Sequence, residues 1–368
     1  MKPSLATRVM ADDRRVVALR DRRSIDASPD DDVRVVVLTA VDDEADRATF
    51  RAGLLAHAAT TAPKFFYDAL GSALFTAICA LDEYYPTRTE AAIFERCRDE
   101  IAKRLPRGAQ WVDLGCGDGV KARGWLEPTG ASRYVGVDIA EAWLRSALTS
   151  QKAALANDLG AAPTRGRAVD VLGVVADFTR PFDLHDVLAE TADLPPVFFY
   201  PGSSIGNFVH DDARAFLASV RHHIEAHPAA GGKLLIGVDL VKDRATLEAA
   251  YDDAIGVTAA FNRNVLRVAN RLLDADFDPA AFEHRAVFDE SFGRIEMQLV
   301  SKYRQVVRIG GDVREFAADE IIVTEFSHKY TVEGFAALLE SAGFAGGDRL
   351  HGWRDPRDWF GVFVAEPA

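Results

Sequence analysis

The stretch "WVDLGCGDG" at Trp111–Gly119 constrains this chain more than any other. A short apolar strand runs into a turn with glycine at alternate positions, Gly115, Gly117 and Gly119. Such a turn lets the backbone approach a ligand closely where a strand hands over to a helix. Further on, "RYVGVDIA" reads as a second strand ended by Asp138. "RAVDVLGVVADF", "PPVFFYPGSSIGN" and "GGKLLIGVDLV" supply a third, fourth and fifth. The helix after the fourth has Phe216, Leu217, Val220 and Ile224 as its apolar face, with Asp211 or Asp212 as its expected cap. Near-continuous apolar strands alternating with helices predict an α/β chain whose parallel sheet is covered on both faces.

The alternation stops after the fifth strand. Residues 242–329 hold a helix, "NRNVLRVANRLL", with Val265, Val268, Ala269 and Leu272 as a stripe. They also hold two long strands, "RIEMQLVSKYRQVVRI" and "DEIIVTEFSHKY". A helix capped by Thr331 and stopped by Gly343 follows, then strands "GDRLHGW" and "WFGVFVAEP". This order predicts a doubly wound, Rossmann-like sheet, residues 90–241 and 330–368, interrupted by an inserted α+β unit. Residues 46–89 and 242–329 make up that second, discontinuous domain, covering the mouth of the first. Residues 1–45 are charged and read as an N-terminal extension with little structure, apart from one β-like run, "VRVVVLTA".

The net charge of −13 repels phosphate backbones and anionic lipid, which argues against nucleic acid or a membrane surface as partner. No stretch approaches the ~20 apolar residues of a membrane span. Cys79, Cys97 and Cys116 have no paired metal-ligand spacing, so no metal is expected and a reducing cytoplasm fits best. The chain is expected to act as a monomer on a small molecule.

The glycine turn followed by an acid serves NAD and S-adenosylmethionine alike, since Asp138 can grip ribose hydroxyls in either. The turn itself favours S-adenosylmethionine. It begins D-x-G-x-G-x-G, and its Asp118 would repel a pyrophosphate, whereas a sulfonium cofactor carries no phosphate. Asp177 and Phe178, after the third strand, suit an adenine: the carboxylate accepts from the exocyclic amine and the ring packs on the base. A nicotinamide-dependent oxidoreductase, or a module that holds the nucleotide without chemistry, stays open on these residues.

"DEIIVTEFSHKY" raises a separate question. Strict alternation puts Ile321, Val323, Glu325 and Ser327 on one face, with a carboxylate in line with core residues. An ionised Glu is expensive to bury unless something pairs with it. A substrate N–H would answer that need, although an edge position facing solvent would too.

Several longer runs carry a resemblance. "PKFFYDALGSALFTAICALDEYYPTRTEA", "SSIGN", "DLVKD", "AYDDAIGVTAAFNRNVL", "FEH", "RIEM" and "TEFSHKY" resemble the amino-acid betaine-forming methyltransferases, chiefly the histidine Nα-methyltransferases of ergothioneine biosynthesis. They span roughly residue 50 to the C-terminus. The resemblance implies a class I S-adenosylmethionine-dependent methyltransferase sheet with a substrate-binding insertion, trimethylating the α-amine of L-histidine to hercynine. It implies that Gly115, Gly117, Lys121, Asp138, Asp177 and Phe178 hold the cofactor, with Gly202 and Tyr84 nearby. Asn207 and Tyr251 would take the carboxylate and amine end of the amino acid, and Tyr67 would lie beside the reacting amine. Tyr67 and Asn207 would thus be the catalytic pair. Glu325 and Ser327, with Met297 alongside, would read the imidazole. Two departures stand out: "GCGDGVKAR" replaces the family's "GSGTSEKT"-like loop, and "GSSIGN" replaces "GGTIGN". Taken alone, Met297 reads as core packing, Tyr84 and Tyr85 as interface packing, and Asn207 as a turn residue. The same chemistry on tyrosine or tryptophan is the nearest alternative, and Glu325 with Met297 speaks against it.

Overall fold

The computed structural model describes residues 33–38, 43–160 and 169–368. Eight strands form the main sheet, in the order Arg34–Val37, Asp170–Val175, Arg133–Asp138, Gln110–Leu114, Pro196–Tyr200, Lys233–Asp239, Phe360–Ala365, His351–Arg354. The first six are parallel, and Phe360–Ala365 runs antiparallel to both of its neighbours. Side chains of the central strands alternate between two cores. Val112, Phe198 and Tyr200 enter one, while Trp111, Val197 and Phe199 enter the other. Neither face is solvated, which is why the strands read as unbroken apolar runs.

The helix His210–Ala226 covers the first core with Phe216, Leu217, Val220 and Ile224. It begins at His210 behind Val209, so the cap expected at Asp211 or Asp212 is not formed. Both acids instead occupy the first turn, where a negative charge favours the helix's positive end. Thr331 does cap its helix, accepting the Gly334 N–H at 2.9 Å. The other core takes Ile93, Phe94, Cys97 and Ile101 from the helix Tyr85–Ala102.

The run "VRVVVLTA" is more than part of an unstructured extension: Arg34–Val37 pairs in parallel with Asp170–Val175 and forms one edge of the sheet. Its β-branched residues satisfy their backbone groups on a neighbour the sequence does not reveal. The rest of the expected extension, residues 1–32 and 39–42, lies outside the described residues.

After the edge strand Arg34–Val37 the chain returns to the sheet centrally at Gln110–Leu114, winds outward through Arg133–Asp138 and Asp170–Val175, then crosses to Pro196–Tyr200 on the other side. That reversal opens a crevice at the carboxyl ends of the two central strands, the usual ligand position in such sheets. The insertion leaves after Asp239 and returns at Tyr330. The two points are stitched together: the Val241 N–H donates to the Tyr330 carbonyl and the Tyr330 N–H to the Asp239 carbonyl, both at 3.0 Å.

Within the insertion a four-stranded sheet runs Ala59–Thr60, Ile321–His328, Arg294–Ser301, Phe282–Asp289. The helix Val257–Leu273 buries Phe261, Val265, Leu266, Val268 and Ala269 against it. Phe50 and Leu54 of the helix Asp43–Leu55 join the same core. The expected strand "RIEMQLVSKYRQVVRI" is two strands. Arg294–Ser301 ends in a turn in which the Ser301 hydroxyl donates to the Tyr303 carbonyl at 2.9 Å. Gln305–Ile309 then starts a hairpin with Asp312–Phe316. No described helix is long and apolar enough to cross a membrane.

The register of Ile321–His328 corrects a second expectation. Ile322 pairs with Leu299 and Val323 with Gln298, but the next pair is Glu325 with Met297, leaving Thr324 as a bulge. One extra residue inverts the alternation that follows it. Glu325 and Ser327 therefore share a face with Ile322, Ile295, Met297 and Leu299, while Ile321 and Val323 lie on the other. The bulge is anchored: the fully buried Thr324 hydroxyl lies 2.7 Å from Asn262 Oδ1 and 3.0 Å from the Met297 carbonyl. Thr324→Val keeps the shape and removes this donor. The expected loss is about 1–3 kcal/mol of stability at unchanged m-value, read from denaturant unfolding.

Candidate active site

Gly115, Gly117 and Gly119 all adopt positive φ, at 68°, 55° and 70°. A Cβ on Gly115 would come within 3.3 Å of Phe178 Cζ, so the turn and the aromatic ring close on each other only because that position is glycine. Phe178 packs edge-on to Tyr200, ring centroids 5.8 Å apart. Asp138 accepts the Ala140 N–H at 3.0 Å through one oxygen, and the other lies 3.4 Å from the Gly117 N. Burial raises its pKa despite these bonds. Asp177 is engaged locally, accepting the Thr179 N–H at 3.0 Å and pairing with Lys64 Nζ at 3.2 Å.

Lys121, in the first turn of the helix Val120–Thr129, does not stand free. Its Nζ sits 2.7 Å from Glu90 Oε2, and Glu90 Oε1 accepts the Gly202 N–H at 2.7 Å. Glu90 is fully buried and links two expected cofactor residues. Gly237 makes room for it, since a Cβ there would lie 2.1 Å from Glu90 Oε1. Nothing in the run "YYPTRTEA" itself singles out Glu90. With Lys121 paired to Glu90 and Lys64 to Asp177, and with further acids at Asp118 and Asp138, this crevice fits a phosphate-free nucleoside such as S-adenosylmethionine.

Across the crevice the insertion supplies a second set of groups. Tyr67 follows the turn Pro63–Phe66, its ring edge-on to Phe75 at 5.7 Å and Phe261 at 5.9 Å. Tyr84 lies edge-on to Tyr251 at 6.0 Å and to Phe75 at 6.3 Å, so its ring packs among the insertion's aromatics. Burial holds both phenols protonated well above their usual range, and the Glu325 carboxylate adds to the effect on each. Glu325 itself is half-buried and has no protein hydrogen-bond donor among the described residues. Burial pushes its pKa up to about 7, opposed by the positive charge of Lys329. Met297 is directly across the strand pair from it and 2% exposed, so it is both core and neighbour of the carboxylate.

Asn207 ends the turn Ser204–Asn207, and its amide likewise has no protein partner among the described residues. The turn is docked on the insertion: His328 Nδ1 lies 3.0 Å from the Gly206 carbonyl, and a Cβ on Gly206 would meet the His328 carbonyl at 2.8 Å. This close approach carries Asn207 from the main sheet toward the strand that bears Glu325.

A buried charge cluster that sequence reading missed lies behind these residues. Asp239, at the end of its strand, pairs with Lys242 at 2.6 Å and Lys329 at 2.8 Å, and accepts from the Tyr85 hydroxyl at 2.7 Å. Lys329 also donates to the Tyr251 hydroxyl and to Ser327 Oγ, each at 2.8 Å, and these two oxygens lie 2.7 Å apart. Two residues given to opposite ends of the substrate, Tyr251 and Ser327, are therefore in direct contact. "DLVKD" and "SHKY" contain the charges, but nothing in their local pattern says that they meet.

Residues 46–367 match the family model described as histidine-specific methyltransferase, SAM-dependent. A histidine N-alpha-methyltransferase of Mycolicibacterium smegmatis is 39% identical, covering 88% of this chain and 95% of its own length. The protein of that name from Mycobacterium tuberculosis is 36% identical over 82% of this chain and 89% of itself. Ergothioneine biosynthesis protein 1 of Schizosaccharomyces pombe is 28% identical over 76% of this chain but 35% of its own length.

The chain belongs to the histidine-specific, S-adenosylmethionine-dependent methyltransferases.

This methyltransferase has the class I, Rossmann-like sheet that the glycine turn predicts, and S-adenosylmethionine is its cofactor. Asp183, His185 and His223 come together elsewhere on the sheet domain, within reach of a metal ion by distance alone. His223 cannot serve as a ligand there: Nε2 accepts the Leu184 N–H at 3.0 Å and Nδ1 faces the Ser219 carbonyl at 2.8 Å.

The raised pKa of Glu325 has a definite sign in the stability of the methyltransferase. The folded state holds this proton more tightly than the unfolded chain, whose carboxyl titrates near 4.5. Stability is therefore lost as pH rises from about 4.5 to about 7, where the folded protein must carry a buried charge. Without added ligand, Glu325→Gln should be the more stable protein at pH 8, by on the order of 3 kcal/mol, and show no gain at pH 4. Thermal denaturation at the two pH values checks this.

Proposed function

We propose that the protein transfers three methyl groups in succession to the α-amine of L-histidine, giving hercynine for an ergothioneine-type pathway. Bound S-adenosylmethionine supplies an electrophilic methyl carbon on a sulfonium. What the protein must add is position: a neutral amine lone pair held in line behind that carbon. Asn207 and Tyr67 suit this task because an amide and a protonated phenol can hydrogen-bond an amine without competing as nucleophiles. A carboxylate in their place would favour the ammonium form, which has no lone pair. The reaction stops at three methyl groups because the quaternary ammonium has no lone pair left.

One observation carries the substrate assignment: Glu325 is a half-buried carboxylate with no protein donor among the described residues, paired across the strands with Met297 and near enough to Tyr67 and Tyr84 for its charge to act on both phenols. An imidazole N–H satisfies it and fixes the ring's tautomer. A phenyl or alkyl side chain would leave it unpaired, a difference that polar sites convert into large discrimination. The division into residues 46–89 and 242–329 as the substrate-binding unit belongs to this reading. So does a monomer working in the cytoplasm, which the free thiols of Cys79, Cys97 and Cys116 support.

Purified protein given S-adenosylmethionine and histidine should yield a product heavier by three methylene units, followed by mass spectrometry. Glu325→Ala should lose its preference for histidine by about 100-fold or more in kcat/KM. Tyrosine or tryptophan winning a competition by an order of magnitude would replace the substrate. S-adenosylhomocysteine, and not NAD, should raise the melting temperature by mass action.

A further inference from the structure

The Lys329 ammonium is wholly buried and committed in three directions, to Asp239 Oδ2, the Tyr251 hydroxyl and Ser327 Oγ, all at 2.8 Å. An ammonium has three donors and no acceptor. Both hydroxyl oxygens must therefore accept from Lys329, and neither hydroxyl proton can point toward it. The two oxygens lie 2.7 Å apart, so one hydroxyl donates to the other. That leaves a single O–H directed out of the cluster, and no other protein acceptor is in reach of either oxygen among the described residues. The hydroxyl that keeps this outward proton has already accepted two hydrogen bonds, so it can only donate.

We propose that Lys329, held by Asp239, is a positioning residue for the amino-acid substrate: it sets the Tyr251–Ser327 pair as a donor of one proton into the pocket. Glu325, which only accepts when ionised, lies two residues from Ser327 on the same face of the strand. The pocket then offers one acceptor and one donor, the complement of a neutral imidazole with one N–H and one bare nitrogen. A doubly protonated ring would present its second N–H to a group that cannot accept it. Tyr251 and Ser327 alone, without the lysine, could rotate their protons either way and would not make this distinction.

The inference rests on histidine being the substrate, and the test separates the two. Binding is measured by calorimetry on enzyme loaded with S-adenosylhomocysteine, for histidine and for a pyrrolylalanine that keeps the ring N–H but lacks the bare nitrogen. The wild-type enzyme should prefer histidine by about tenfold or more, the effect of leaving one donor unpaired. K329M should weaken histidine about tenfold while changing pyrrolylalanine less than threefold, so the preference disappears. Equal loss for both ligands would mean a merely structural lysine and overturn the proposal. Should K329M fail to fold, K329Q decides: its amide oxygen can take the hydroxyl proton inward, and the same loss of preference is expected. A preserved preference in K329Q overturns the proposal, as does wild-type enzyme that binds pyrrolylalanine within threefold of histidine. Wild-type enzyme that neither binds nor methylates histidine would instead sink the substrate reading.

Discussion

Both ends of the insertion and, through Lys329, the Tyr251–Ser327 pair are fastened to one carboxylate, Asp239. It ends the sixth strand of the parallel run and is 1% exposed at its side chain, where an unpaired charge would be prohibitive. Lys242 and Lys329 resolve that problem from the two ends of the insertion, one just after the chain leaves the sheet and one just before it returns. Tyr85 adds a hydroxyl from a third element. Removing one member of such a group strands the others in a low-dielectric interior, at about 3–5 kcal/mol. The clasp is therefore both the hinge pin of the two-part architecture and the floor beneath Tyr251 and Ser327.

A second tie works on the cofactor side. Glu90 reaches from the helix Tyr85–Ala102 to Lys121 and to the Gly202 backbone, and the turn beyond Gly202 is docked through Gly206 on His328. Ser203, held at φ 60°, accepts the Asp239 N–H through its hydroxyl at 2.9 Å. The loop between Pro196–Tyr200 and His210–Ala226 thus touches the glycine-turn side, the clasp and the strand Ile321–His328 at once. Alignment of an amine behind a methyl carbon depends on small displacements, and this loop is where both halves register against each other.

The sheet was legible in sequence because its information is local. Apolar runs, the Gly115–Gly119 turn and the acid at Asp138 each carry their meaning within a few residues. Glu325 was also legible as an anomaly, a carboxylate in a strand, but its face was not. Alternation from Ile321 gives the wrong set of neighbours, because the bulge at Thr324 depends on Asn262, distant in the chain. The broken strand at Ser301 and the edge strand Arg34–Val37 failed for related reasons, a side-chain turn and a pairing partner that no periodicity announces. Glu90, Lys242 and Lys329 look like ordinary surface charges until folding brings them to partners far away in sequence, and a single charged letter carries no sign of that.

Glu325 differs from the clasp in one respect that matters for how such a protein can change. Among the described residues no protein hydrogen bond holds its side chain, so exchanging it leaves the framework standing. The lysines and Asp239 cannot be exchanged one at a time on the same terms. Change therefore has an open door at this carboxylate, while the scaffold around Asp239 is kept under lock by its own buried charges.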